Sequence, residues 1–260
     1  MVGLESLVDF LSLALWSGSV MGERPVSVIL VAPPGAGKTS LLEKFQGETA
    51  IFVSDLTSRE LSSLIREHKK ATHILLGDML SLFGHKASVV RLTCRMLSGL
   101  TGETLKTDSF TGKEHEDGGR QLGLITAIPP DDLKSRAISG QLQAGGFATR
   151  FLTLRYEYNA STVRKIHDYI RSDRYTREKI QPFVIDSEKQ LVTINPQLSR
   201  QIQDLALNLK QDPLGTRIHH SLRTLVKAHA RRRRSATVCE KDFAALEAHS
   251  AFFSRDGKIL

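Results

Sequence analysis

A chain of 260 residues, 40% hydrophobic and 25% charged, has the composition of an ordinary soluble globular protein with room for one large domain or two smaller ones. A formal charge of +8 and a pI near 9.6 favour an anionic partner, nucleic acid first. Cys94 and Cys239 fit no metal-ligand or redox spacing, which favours a reducing, cytoplasmic setting, and the apolar stretch 7–20 carries Asp9, is too short to span a membrane and lacks a basic leader.

That first stretch instead predicts a helix on a core, with Leu7, Phe10, Leu11, Leu13 and Leu15 facing inward. A turn over 22–25 leads to a fully apolar strand over 26–31. A Gly-rich loop at 32–38 then opens a helix, TSLLEKF. A second buried strand follows at 50–54, an amphipathic helix at 59–70, a third strand at 73–78 and a helix at 87–100. Residues 101–122 are rich in Gly, Thr and charge. The fourth strand is predicted at 122–127 and the fifth at 151–158. Strands alternating with helices imply a parallel five-stranded sheet flanked by helices on both faces. After 160 the pattern is helical, over 161–173, 196–209 and 216–234, with a small hairpin predicted at 184–194. The expected division is therefore an α/β nucleotide-binding domain, 1–158, and a helical lid, 159–260.

The loop reads APPGAGKTS over 32–40. In the phosphate-loop pattern, Gly-x-x-x-x-Gly-Lys-Ser/Thr, Gly37, Lys38 and Thr39 match, while Ala32 stands where the first Gly belongs. Gly35 and Gly37 let backbone N–H groups close around an anion, and the helix N-terminus adds the positive end of its dipole. The nucleotide-binding set is thus Pro33, Pro34, Gly35, Ala36, Gly37, Lys38, Thr39 and Ser40. Lys38 is expected at the β- and γ-phosphates, and the Thr39 hydroxyl on Mg²⁺. Asp78, ending the third strand, supplies the carboxylate that holds the metal through water.

These residues, with three further segments, resemble an AAA+ ATPase. The closest branch is the minichromosome maintenance (MCM) type of replicative helicase. PPGAGKT carries the AAA+ likeness. FLSLALWSG (10–18) resembles the lead-in segment of that branch, residues 217–246 its lid helix, and 99–127 the hairpin preceding its fourth strand. The resemblance implies a nucleotide-binding sheet with a C-terminal helical lid, ATP and Mg²⁺ as ligands, a ring-shaped homo-oligomer of hexameric type, and DNA as partner. It further implies that Arg150 is an arginine finger reaching a neighbouring subunit's γ-phosphate, and that Arg217 is the second sensor, coupling lid closure to bound phosphate.

Two positions depart from the family pattern. Its Asp is normally followed by Glu, the base that orients the attacking water; here Met79 follows Asp78. Its fourth strand usually ends in Asn; here Ile128 stands there, and Thr126 is the only nearby polar substitute. Turnover is therefore expected to be slow, with Asp55 the nearest replacement carboxylate and Met79→Glu expected to raise the rate.

Lys106, Lys113 and Arg120 are the hairpin's candidate DNA contacts, diluted by Asp108, Glu114, Glu116 and Asp117, so a solvated surface loop stays open as a reading. The run Arg231, Arg232, Arg233 and Arg234 closes a helix, where the dipole favours cations, and it also suits phosphates. His219, His220 and His229 read as structural. Two functions compete: an MCM-like ATPase module acting on DNA, and a nucleotide-gated assembly or initiator/loader factor with little turnover. A small-molecule kinase on the same loop lacks any substrate-pocket signature.

Overall fold

The computed structural model describes residues 3–102, 107–108, 113–114, 120–135, 138, 140, 147–173, 185–186, 188–209, 215–253 and 258–259. Strands β1 (Ser27–Val31), β2 (Ala50–Val53) and β3 (His73–Leu76) come first. A short antiparallel pair, β4 (Thr107–Asp108) and β5 (Lys113–Glu114), precedes β6 (Gly123–Ile128) and β7 (Phe151–Glu157). The two-residue β8 (Lys258–Ile259) joins the edge beside β7. The main sheet runs β2-β3-β6-β1-β7-β8, with every pairing parallel.

Helices cover both faces: α1 (Glu5–Trp16), α2 (Lys38–Glu43), α3 (Ser58–Glu67), α4 (Leu80–Phe83), α5 (Ala87–Gly102) and α6 (Pro130–Lys134). Then come α7 (Ala160–Arg171), α8 (Pro196–Leu209), α9 (Thr216–Arg232) and α10 (Glu240–Glu247). Strand side chains alternate between two cores, as the pleat requires. Val28 and Leu30 join a cluster with Leu7, Phe10, Leu41 and Leu222, whereas Ile29 and Val31 join Leu61, Met79, Leu97 and Ile128. Both faces of β1 are buried, hence its unbroken apolar run. The first cluster draws described residues from both sides of the expected boundary at 158, with α1 and α9 packed in it together.

Three expectations are corrected. The helix predicted at 59–70 stops at Glu67 because the Arg120 guanidinium donates to the carbonyls of Ile65, His68, Lys69 and Ala71, at 2.6–2.8 Å. Ile65 lies in the last turn of the helix and the other three carbonyls lie at its C-cap or just beyond, so a cationic fork closes that end. Residues 184–194 form no hairpin in their described part. Gln190 bridges to Val20 and Thr193 to Thr237, both parallel, so the backbone groups pair elsewhere. The segment 217–246 is two helices, broken where Arg234 takes a left-handed φ of 59°.

Candidate nucleotide site

The loop after β1 emerges at the C-terminal edge of the sheet, where ligands bind in open parallel sheets. Gly35 and Gly37 have φ of +77° and +72°, and nothing lies within 4 Å of where a Cβ would stand on either. Left-handed backbone beside open space is what a loop must offer if its amides are to wrap an anion. Ala32 is buried and is not among the non-glycine residues of positive φ, so replacing the first Gly strains nothing. Pro33, Pro34, Gly35, Thr39 and Ser40 are exposed, while Ala36 is buried.

Lys38 lies across the loop, its Nζ donating to the carbonyls of Ala32 at 2.6 Å and Pro33 at 2.7 Å. Partial burial lowers its pKa, opposed by the attraction of Asp78. The Thr39 hydroxyl donates to the Gly77 carbonyl at 3.3 Å, bringing it to the residue before Asp78. Thr39, Lys38 and Asp78 are thus assembled at one edge, and Asp78 is exposed. One Asp78 oxygen accepts the Leu80 N–H at 2.9 Å. Among the described residues, no group of three or more His, Cys, Asp and Glu side chains could hold a metal. Thr39 and Asp78 fit Mg²⁺ only as partners of nucleotide phosphates, an arrangement usual for that ion.

The other candidates are distributed differently. Thr126 lies inside the sheet, in register with Ile29 and Leu76, its hydroxyl fully buried and without a partner among the described residues. It does not reach the loop mouth. Asp55 faces His85, both carboxylate oxygens lying 2.9 Å from Nε2. Burial pulls its pKa up, but hydrogen bonds from His85, the Leu56 amide and Ser81 hold it below the ordinary value.

Arg150 stands just before Phe151, which pairs with Ser27, so it lies at the opposite edge of the sheet from the loop after Val31. Four residue steps separate those edges, about 13 Å. Arg217 donates to the Thr149 hydroxyl, beside Arg150 rather than beside Lys38. The two arginines line one cavity of about 390 Å³ with Arg24 and Arg223. Its one acid, Glu23, is engaged by Lys227 at 2.6 Å and Arg223 at 3.6 Å, leaving the cavity cationic.

Most of the basic candidates turn inward. Arg231 is buried, paired with Asp186 at 2.6 Å and 5.7 Å from the centre of the Trp16 ring. Arg232 pairs with Asp9 and Arg233 with Asp242, both at 2.7 Å. Arg120 is spent on α3. Lys106 lies outside the described residues, and Lys113 is described only through its backbone in β5. Two residues the sequence reading passed over touch the loop: the hydroxyls of Tyr156 and Tyr158 donate to the Ala36 carbonyl at 3.1 and 3.0 Å. Their spacing of two at the end of FLTLRYEY was the available signal. Among the described residues, no helix is long and apolar enough to cross a membrane. Compared with protein-family models and with curated proteins, the chain matches none.

Proposed function

We propose that this chain is an ATP–Mg²⁺-binding module of AAA+ type that assembles head to tail, with nucleotide gating the assembly and little turnover. One observation carries the reading: Arg150 and Arg217 line a cationic cavity at the sheet edge opposite the chain's own phosphate loop. An arginine at the far end of a strand about 13 Å long does not face its own loop. It can serve the loop of a second copy, and a heterologous contact of that kind closes into a ring when the rotation permits. Lys38, Thr39 and the amides of 35–38 would hold the phosphates, Asp78 would hold the metal's water, and Mg²⁺ would neutralise phosphate charge. Met79 and Ile128 are core residues and Asp55 is held by His85, which supports slow turnover.

The MCM-like alternative, a helicase core acting on DNA, draws support from the antiparallel pair β4–β5, which occupies the position of that family's hairpin. Titration of parent and Lys38→Ala with ATP–Mg²⁺, with oligomer mass measured alongside, tests the leading reading. Equal affinity in both proteins, or one mass with and without saturating nucleotide, overturns it. Hydrolysis stimulated by single-stranded DNA selects the helicase reading.

A further inference from the structure

The Ala36–Gly37 peptide is able to flip. A flip turns the ψ of Ala36 and the φ of Gly37, and Gly37 has open space around it and a glycine's tolerance of either sign of φ. A flipped peptide would present a carbonyl, not an N–H, to a bound anion. Something must hold it, and two tyrosines do. Tyr156, at the end of β7, is fully buried, and Tyr158 is half-buried just beyond that strand. Their rings meet edge to face at 5.8 Å, and both hydroxyls donate to the Ala36 carbonyl. A carbonyl oxygen has two lone pairs, so this pair saturates it. Burial pushes both phenols up, Tyr158 to about 12, so both remain donors throughout the neutral range.

In a trans peptide the C=O and the following N–H point in opposite directions, and the chain has no cis bonds among its described residues. Drawing the Ala36 carbonyl toward β7 therefore turns the Gly37 N–H away from it. We infer that Tyr156 and Tyr158 are positioning residues for the phosphate loop, fixing the Ala36–Gly37 peptide so that the Gly37 N–H faces the nucleotide's phosphates. The inference rests on the nucleotide reading above and deepens it. Strand β7 then has a part at each end, with Arg150 before its first residue and the tyrosine anchor at its last turn of chain.

The test is the double variant Tyr156→Phe/Tyr158→Phe, which keeps both rings and removes only the hydroxyls. ATP–Mg²⁺ affinity should fall about tenfold, because losing two hydrogen bonds leaves only about a tenth of the free protein with the peptide correctly turned. Each single variant should lose less, because one donor still fixes the peptide. In the parent, the Gly37 amide proton should shift downfield in NMR spectra on saturation with ATP–Mg²⁺, and in the double variant that shift should shrink. A purely structural role would lower the melting temperature and leave the Gly37 response intact, and that result overturns the proposal. So does undiminished affinity in the double variant while the parent binds and Lys38→Ala does not. A parent that fails to bind ATP–Mg²⁺ overturns the nucleotide reading itself, and this inference falls with it.

Discussion

The Met79 amide donates to the Ala127 carbonyl at 2.9 Å, which ties the residue after Asp78 to the neighbouring strand β6. Its side chain lies fully buried in the same apolar cluster as Ile128. The two positions where the AAA+ pattern has Glu and Asn are therefore built as core here, and a polar side chain at either would not emerge at the loop.

Met79→Glu is accordingly expected not to raise turnover, contrary to the expectation from sequence. A carboxylate there must be buried unpaired or stay protonated, at a cost of more than ~2 kcal/mol. Thermal unfolding should show a clear loss, with the ATPase rate no higher than in the parent. A tenfold faster enzyme with an unchanged melting temperature would contradict this placement.

The Gly-rich loop between β1 and α2 was legible because its signal is local: Gly35, Gly37, Lys38 and Thr39 lie within five residues and follow an apolar strand. The alternation of strands and helices was legible for the same reason, since each element carries its own period. What escaped depends on partners far along the chain. Arg120 looks like a hairpin cation until carbonyls at and just past the end of α3, some fifty residues earlier, are seen to hold it. The arginine run looks like a phosphate-binding surface until Asp9, Asp186 and Asp242 arrive from three separate segments. Tyr156 and Tyr158 reach back 120 and 122 residues to Ala36. No spacing rule reports such pairings.

The arginine run should behave as structure. Replacing Arg231 with Gln removes the partner of Asp186 and uncovers the Trp16 ring, so the melting temperature should fall by several degrees. Arg234→Gln should change it little, since Arg234 is exposed at the helix end. If the protein binds DNA, the dependence of affinity on salt should be the same for parent and Arg234→Gln. A slope flattened by about one unit would return that residue to the phosphate-binding set.

Acid should destabilise the fold through His73. Its ring is fully buried against Gly123, where a Cβ would stand 2.3 Å from Cδ2, and its Nδ1 lies 3.0 Å from the Thr72 hydroxyl. Burial pushes its pKa down to about 3, against a smaller opposing pull from the Val26 carbonyl. The unfolded chain therefore takes up a proton below about pH 6.5 that the folded chain refuses until about pH 3. Stability is fully present above 6.5 and falls by up to ~1.4 kcal/mol per pH unit on the way down. Asp242, held at about 2 by Arg233 and His229 despite burial, adds a second loss only below about 3.8. Denaturant unfolding between pH 7 and 4.5 should show the first slope, and His73→Gln should remove it. Gly123→Ala should destabilise at every pH, because the added methyl meets the ring.

The opposed placement of Lys38 and Arg150 gives the last prediction. Lys38 stands past the C-terminal end of β1 and Arg150 just before the N-terminal end of the neighbouring β7. If a competent site needs one from each of two copies, Lys38→Ala fails for want of phosphate binding, and Arg150→Ala fails because its neighbour's phosphoryl group has no guanidinium. An arginine supplied in this way is worth about 10³–10⁵ in rate, so either single variant should be silent even against a slow parent. Mixed one to one, the variants form some junctions in which an intact loop meets an intact arginine. Random head-to-tail assembly makes about a quarter of junctions of that kind. Sensitive single-turnover measurements on the mixture should therefore recover up to about a quarter of the parent's activity. Arg150→Ala alone should still bind ATP–Mg²⁺, since its own loop is untouched. A mixture as silent as its components, although both assemble, would mean that the arginine serves no neighbouring loop.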